Sequence, residues 1–340
     1  MPQLHQTDTL PAGFMGSAAR DLHRILSGPT LIHLPGRRPE TLFVSVLLHG
    51  NEITGLLAVQ RLLARYLDRP LPRAMTVFIG NIEAARAGMR RLDGQPDYNR
   101  SWPGTTLPAS PETELMQTVW QTMRERPLFA SIDLHNNTGL NPHYGCVNVL
   151  DDACLQLAAL FSRTAVFFET PRGTQSAAMA RLCPAVTLEC GKPGEPHGVE
   201  HAAEFIDACL HLAEIPPHRV RDSDLHLFHT VAQVRIPDSV SFGFGRNDAQ
   251  LDLLPDLERM NFREMPAGTI FGFYTGESRP RPLVTGDDGS DMTDVFFSFD
   301  NGCLRLKRSV MPSMLTLDET VIRQDCLCYL MERLALPHSD

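Results

Sequence analysis

The stretch Thr41-Leu-Phe-Val-Ser-Val-Leu-Leu-His-Gly-Asn-Glu52 joins an apolar run of strand length to two side chains that can bind a metal ion. A continuous run rich in β-branched residues is typical of a strand that is buried on both faces. Apolar residues at helical spacing follow from Glu52 to Leu67, and Pro70 ends this segment. The sequence therefore predicts a strand, a turn and a helix, with His49 and Glu52 at the turn.

The same alternation of strands and helices continues through the first two thirds of the chain. Further strands are predicted at 74–79, 129–135 and 185–189, and Pro111 opens a helix with an apolar face. Such alternation favours an α/β fold, in which helices cover both faces of a mostly parallel sheet.

The pattern changes around Pro216-Pro217, where short alternating runs separated by Gly, Pro and Asp begin. Runs of this kind are typical of antiparallel strands. We therefore predict an α/β domain over residues 1–220 and a β-rich domain over residues 221–340. The second domain is expected to end in a helix from about Asp318 to Leu334, where apolar residues recur at helical spacing.

Composition and charge exclude several classes of protein. The chain has 340 residues, 43% of them hydrophobic, and a net charge of −9 from 40 acidic residues against 31 Lys and Arg. An acidic balance disfavours a nucleic-acid partner, and no apolar run approaches the roughly 18 residues of a membrane span. The first twenty residues lack the order of a secretory signal. With eight scattered cysteines, the chain is expected to be cytoplasmic, and its oligomeric state is not predicted.

A metal site is predicted from three side chains at strand ends, namely His49, Glu52 and His135. Two imidazoles and a carboxylate suit Zn²⁺, and catalytic zinc sites commonly keep a fourth position for water. Asp133 lies two residues before His135 and so projects from the same face of the strand. It is therefore expected to lie near the metal and to orient a neighbouring group.

Glu189 ends the predicted strand at 185–189. A carboxylate after four residues of a buried strand is costly unless its surroundings are polar. A metal-activated water needs such a carboxylate to take its proton and to pass it to the leaving amine. Ligands of open α/β sheets bind at the carboxyl ends of the strands, so His49, His135 and Glu189 are expected to meet there.

The segment from Arg90 to Arg100 has three arginines and Asn99 within eleven residues of an acidic chain. Arginine binds carboxylates through two parallel hydrogen bonds, and a neighbouring amide adds donors. The segment is thus a candidate for binding an anionic substrate rather than an ordinary charged loop.

Four motifs together resemble the succinylglutamate desuccinylase and aspartoacylase family of the zinc carboxypeptidase superfamily. They are His49-Gly-Asn-Glu52, Asp97-Tyr-Asn-Arg100, Asp133-Leu-His-Asn136 and Leu188-Glu-Cys-Gly191. The resemblance implies a zinc-carboxypeptidase-like, mostly parallel mixed sheet flanked by helices, followed by a β-rich C-terminal domain. It also implies one zinc ion per chain.

The resemblance further implies a role for each matching residue. The implied zinc ligands are His49, Glu52 and His135. Glu189 matches the general acid/base, and Asn99 and Arg100 match the pair that holds a substrate carboxylate. For the arginine that polarises the scissile carbonyl, Arg91 is matched first and Arg90 second. Tyr274 is proposed as the aromatic hydroxyl that helps to bind substrate.

These roles predict a hydrolase that cleaves an amide bond beside a free carboxylate, as in an N-acyl amino acid deacylase. Two alternatives remain open at this stage. The chain could be a carboxypeptidase that trims peptides, or a family member that binds zinc and a ligand without activity.

Overall fold

The computed structural model describes residues 3–246, 248–274 and 280–337. These residues form two compact units. The first contains the described residues up to Asn136, then His143–His226 and the short end from Leu336. The second contains Asn137–Pro142 and Leu227–Ala335.

The first unit is built on eight strands. They are β1 (His5–Thr7), β2 (Thr30–Leu34), β3 (Gly36–Val46), β4 (Leu71–Ile79), β5 (Leu128–His135), β6 (Tyr144–Val147), β7 (Thr164–Phe167) and β8 (Ala185–Glu189). Their order across the sheet is β1-β2-β4-β3-β5-β8-β6-β7. The four central strands β4, β3, β5 and β8 run parallel, while β2 and β6 join them antiparallel. The predicted mostly parallel sheet is confirmed.

Six helices flank this sheet. They are α1 (Thr54–Ala64), α2 (Ile82–Ala87), α3 (Pro111–Arg124), α4 (Asp152–Phe161), α5 (Gln175–Met179) and α6 (Pro196–His211), with 3₁₀ turns at Phe14–Gly16, Ala19–Arg24 and Tyr98–Arg100. The predicted start of α3 at Pro111 is confirmed, and Ser110 caps it by accepting from the Thr113 backbone N–H. Helix α1 begins at Thr54, two residues after the predicted start at Glu52, and ends at Ala64.

The second unit is rich in strands. They are β9 (His226–Arg235), β10 (Phe242–Phe244), β11 (Leu251–Leu253), β12 (Ile270–Tyr274), β13 (Leu283–Gly286), β14 (Phe297–Asp300), β15 (Cys303–Leu306), β16 (Met311–Ser313) and β17 (Cys328–Arg333). Two short helices, α7 (Thr293–Phe296) and α8 (Glu319–Gln324), and a 3₁₀ turn at Leu257–Met260 complete the unit. Strands β10-β11-β12-β15-β14 form one sheet, and β17 lies between β9 and β16. The predicted β-rich C-terminal region is confirmed.

The long helix predicted from Asp318 to Leu334 is wrong. Helix α8 ends at Gln324, and the chain then enters strand β17. Strand β17 pairs along its two edges with β9 and β16, and its four consecutive residues from Cys328 to Met331 are buried, so both of its faces are covered there. A continuous apolar run of this kind does not distinguish a central strand from a buried helix, and pairing with β9 and β16 decides between them.

No helix in the described part of the chain is long and apolar enough to cross a membrane.

Candidate active site

A sharp turn after β3 carries the first two site residues. Leu47 has φ 55°, a left-handed conformation that a branched side chain rarely adopts. Two hydrogen bonds from the residues that follow β4 hold the turn, because Gly80 N donates to Val46 O and Asn81 N donates to Leu47 O. A Cβ on Gly50 would lie 2.1 Å from the backbone nitrogen of Ala85, so only glycine allows this close approach to α2. Strain at a residue held in this way is typical of functional sites.

His49, Glu52 and His135 converge as the sequence predicted. The Nδ1 atoms of the two histidines are 3.2 Å apart, and each lies 2.8 Å from a different carboxylate oxygen of Glu52. All three side chains are buried. The three residues offer ligand atoms that all lie within 4.8 Å of one another, so they form a candidate metal centre.

A carboxylate holds the far side of each imidazole. Asp133 Oδ2 lies 2.7 Å from His135 Nε2, and Asp97 Oδ1 lies 2.9 Å from His49 Nε2. If each Nε2 carries the ring proton, as these acceptors favour, each Nδ1 presents its lone pair to Glu52 and to the other histidine. Carboxylates behind the imidazole ligands are the usual arrangement in protein metal sites, where they fix the ring and raise its basicity.

The ionisable side chains of the cluster change one another's pKa values. Burial raises the pKa of the Glu52 carboxyl, but His49 and His135 outweigh it and hold this pKa well below its ordinary value. Burial likewise opposes ionisation of Asp97, and His49 and Arg90 hold its pKa well below the ordinary range. Burial lowers the pKa of His135, but Asp133 and Glu52 raise it well above the ordinary value. The two carboxylates therefore stay ionised inside the protein.

The donor set fits a divalent cation such as zinc. Tetrahedral geometry with bonds of about 2.0–2.1 Å separates neighbouring ligand atoms by about 3.3 Å, and the separations here are 2.8, 2.8 and 3.2 Å. The surroundings agree in charge. The carboxylates of Glu52 and Asp97 are held ionised and that of Asp133 lies behind His135, so the cluster has negative charge that a divalent cation would balance.

Glu189 lies beside the candidate metal centre. It is paired in register with His135 across the parallel strands β5 and β8. Neighbouring strands are about 4.8 Å apart, and residues paired in this way project from the same face of the sheet. Glu189 is 7% exposed, and it contributes to raising the pKa of both Cys146 and Cys190. Its carboxylate is thus close enough to these two buried thiols to disfavour their ionisation.

The two candidate arginines occupy different places. Arg90 lies at the cluster, with NH1 3.3 Å from Glu52 Oε1 and NH2 3.1 Å from Asp97 Oδ2. Arg91 instead donates from NH1 to the carbonyl of Gln95 in its own loop, at 2.8 Å. Of these two arginines, Arg90 is therefore the one in contact with the candidate metal centre, the reverse of the order matched from the sequence.

Asn99 and Arg100 follow Asp97 on the same 3₁₀ turn. Asn99 is buried, with Nδ2 3.1 Å from His135 Nε2 and with Oδ1 accepting from the backbone N–H of Gln175. Arg100 NH1 donates to the carbonyl of Asn99 at 2.9 Å. The turn therefore brings Asn99 into contact with the candidate metal ligand His135 and places Arg100 next to Asn99, although the amide oxygen of Asn99 already accepts a hydrogen bond from Gln175.

Tyr274 ends strand β12 of the second unit. Its hydroxyl donates to the carbonyl of Phe299 at 2.9 Å. This hydrogen bond gives the hydroxyl a structural partner, and the role of Tyr274 in substrate binding stays a prediction.

A sequence model described as the succinylglutamate desuccinylase/aspartoacylase catalytic domain matches residues 39–213. The match covers all four motifs and half of the chain. The chain belongs to this family. The matching model is that of a catalytic domain of desuccinylase and aspartoacylase type, so the family is one of hydrolases. No curated protein sequence matches this family member.

Solved structures with the same fold come from bacteria and from mouse. A succinylglutamate desuccinylase from Chromobacterium violaceum is 17% identical, with TM-score 0.58 over 91% of this chain and 89% of its own. A succinylglutamate desuccinylase/aspartoacylase from Rhodobacter sphaeroides is 18% identical, with TM-score 0.59 over 89% of both chains. Murine aminoacylase 3 is 16% identical, with TM-score 0.53 over 88% of this chain and 96% of its own. At these identities the likeness establishes the fold.

Sequence reasoning missed two residues of the site. Asp97 belongs to one of the four motifs, but the sequence does not predict its contact with His49. Ser45 donates to Asp133 Oδ1 at 2.6 Å and so orients the carboxylate behind His135. The sequence does contain an indication for Ser45. A hydroxyl within the apolar run of β3 is expected to be buried and therefore to need a hydrogen-bonding partner.

Proposed function

We propose that this family member is a zinc-dependent hydrolase that cleaves an amide bond of a small carboxylate-bearing substrate. The observation that carries the proposal is the convergence of His49, Glu52 and His135, with Glu189 paired in register beside His135. When bound, zinc would lower the pKa of a coordinated water from 15.7 toward about 7 and would polarise the scissile carbonyl.

Glu189 is the proton carrier in this proposal. Its position beside His135 lets the carboxylate take a proton from the attacking water and then deliver it to the departing nitrogen. General acid–base catalysis of this kind contributes about 10²–10⁴-fold to the rate. The buried surroundings exclude bulk water, which would otherwise compete for the proton.

In this proposal, arginine side chains supply the positive charge that binds the anionic substrate and stabilises the transition state. Arg100 would bind the substrate carboxylate and fix its orientation, and Asn99 beside it would complete the position. Arg90, which touches Glu52 and Asp97, would face the negative charge that develops on the carbonyl oxygen. The proposal thus assigns binding to one arginine and transition-state stabilisation to the other.

The test combines metal analysis with a substrate panel. We expect close to one zinc ion per chain and hydrolysis of one or more N-acyl amino acids. The Glu189→Ala variant should keep its zinc but lose turnover. Loss of zinc in that variant, or normal hydrolysis by it, would refute the role of Glu189.

The same panel should contain short peptides with a free carboxyl end. Cleavage of peptides without deacylation would identify a carboxypeptidase instead. Bound zinc without hydrolysis of any compound would favour a binding protein, and a chain that binds no metal would contradict the proposal altogether.

A further inference from the structure

A cavity of about 290 Å³ lies next to the turn that carries Asn99 and Arg100. The residues that line it include Gly104, Asn148, Phe168, Arg172, Gly173 and Arg181. We call this cavity the arginine pocket. None of the three candidate zinc ligands lines it, so it is a feature separate from the metal cluster.

Two guanidinium groups in the pocket have no hydrogen-bonding partner among the residues that the structure describes. Arg172 and Arg181 are both exposed, and neither side chain makes a hydrogen bond or ion pair with a residue that the structure describes. The guanidinium of Arg181 lies over Gly104, where a Cβ would come within 2.8 Å of its NH2. Among the described lining residues only Glu169 is acidic. Two like charges at one cavity attract an anion.

The pocket and the candidate active site share one wall. Gly173 has φ 76°, and a Cβ there would lie 2.4 Å from the carbonyl oxygen of Arg100. The carbonyl of Gly173 accepts from Trp102 N at 3.0 Å. Two residues later, Gln175 N donates to Asn99 Oδ1 at 2.8 Å. A change in the position of this segment would therefore reach Asn99 directly.

A second connection leads from the pocket to the strand of Glu189. Ser176 Oγ donates to Asn148 Oδ1 at 2.7 Å, and Thr187 Oγ1 donates to Ser176 Oγ at 2.8 Å. Thr187 lies two residues before Glu189 on β8, so both side chains project from the same face of the strand. The pocket is thus tied by hydrogen bonds to both sides of the candidate active site.

We propose that the arginine pocket binds an oxyanion of the carboxylate or phosphate class through Arg172 and Arg181, in addition to the carboxylate assigned to Arg100. Arginine binds such groups through paired hydrogen bonds. At about 290 Å³ the cavity lies at the small end of ligand sites, which suits one small group rather than a peptide. Its source is either a second carboxylate on the substrate or a free anion.

The first test measures binding directly and does not depend on hydrolysis. The zinc-loaded full chain is titrated calorimetrically with succinate and, separately, with inorganic phosphate. We expect Arg172→Gln/Arg181→Gln to lose one binding event or to bind at least tenfold more weakly. Arg37→Gln, which removes an exposed arginine elsewhere, is the matched control and should bind as the unaltered chain does. Identical affinity and stoichiometry in the double variant would overturn the inference.

The second test distinguishes the two sources and rests on the proposed function. It compares N-succinyl with N-acetyl derivatives of one amino acid, and N-acetylaspartate with N-acetylalanine. If the anion belongs to the substrate, the double variant raises KM for the compound with the extra carboxylate at least tenfold, with kcat within about twofold. KM for its partner should stay unchanged, and Arg→Lys variants should give intermediate values because they keep only the charge.

If the anion is free, phosphate should change the KM of the unaltered chain for the N-acetyl compounds and should have no effect on the double variant. Equal kinetics in all these comparisons would overturn a role for the pocket in the reaction. Should the unaltered chain hydrolyse no N-acyl amino acid, the proposed function fails, while the calorimetric test of the pocket still gives its answer.

Discussion

Nε2 of His135 lies 2.7 Å from Oδ2 of Asp133, two residues earlier on the same strand. Ser45 on the neighbouring strand β3 holds the other oxygen of this carboxylate. The ring of His135 is therefore oriented by the sheet itself, and its Nδ1 faces Glu52. The sheet supplies both a candidate metal ligand and the group that orients it.

The first prediction concerns this carboxylate. Asp133→Asn should weaken zinc binding by about 10–100-fold, because the amide is a poorer acceptor for the imidazole N–H and no longer raises its basicity. Competition with a chromophoric zinc chelator measures the effect. Asp93→Asn removes an exposed carboxylate outside the cluster and should bind zinc normally. Equal affinity in both variants would contradict the prediction.

The second prediction separates Arg90 from Arg91. Arg90→Ala should lower kcat by about 10²–10³-fold, since a cation at the metal cluster is positioned to stabilise an oxyanion. Arg91→Ala should stay within a few-fold of the unaltered chain, because its guanidinium bonds only to the Gln95 carbonyl among its hydrogen-bonding contacts with described residues. Zinc content must be measured in parallel, as Arg90 also touches Glu52. A larger loss at Arg91 would reverse the assignment.

The third prediction concerns Gly50 in the turn that carries His49. Gly50→Ala should destabilise the protein by about 1–3 kcal/mol or more, because the new methyl group overlaps the backbone of α2, which cannot move as a side chain can. Urea denaturation gives the free energy of unfolding. Gly16→Ala, where no atom lies within 4 Å of the added Cβ, is the control and should change it little. If Gly50→Ala and the unaltered chain had equal free energies of unfolding, the prediction would be wrong.

The fourth prediction is a pH dependence of stability. Burial, followed by the hydrogen bond to Asp207 on α6, raises the pKa of Tyr66 to about 12. A phenol whose folded pKa lies above its unfolded value of about 10 stabilises the fold below pH 10, and this contribution is lost between about pH 10 and 12. The advantage of the unaltered chain over Tyr66→Phe should therefore be smaller at about pH 11 than at pH 8. Urea denaturation at both values checks this, and a constant difference would contradict it.

The position of the site followed from the sequence because its residues end parallel strands. His135 and Glu189 are the last residues of β5 and β8, and parallel strands end at one edge of a sheet. A polar side chain that closes an apolar run can be recognised without a structure. The register of β5 and β8 then brings His135 and Glu189 together. Once the parallel sheet is predicted correctly, their proximity can be predicted as well.

What the sequence could not predict depends on loops and on pairing. The direction in which Arg90 and Arg91 point is set by a loop whose shape no periodicity describes. The partner of Asp97 requires the fold of that same loop. The sequence of strand β17 predicts a helix because a strand buried on both faces shows no alternation of polar and apolar residues.

The short segment Asn137–Pro142 begins two residues after His135, yet it belongs to the second compact unit. Within that unit Thr138 donates to Thr316, and Met314 N donates to the side chain of Asn141. Separation of the two parts of the chain near residue 226 would thus deprive these six residues of their partners, next to the candidate metal ligand His135. The first compact unit cannot be obtained by a single truncation, so we expect that neither limited proteolysis nor gene fission at that boundary releases it as an independently folded fragment.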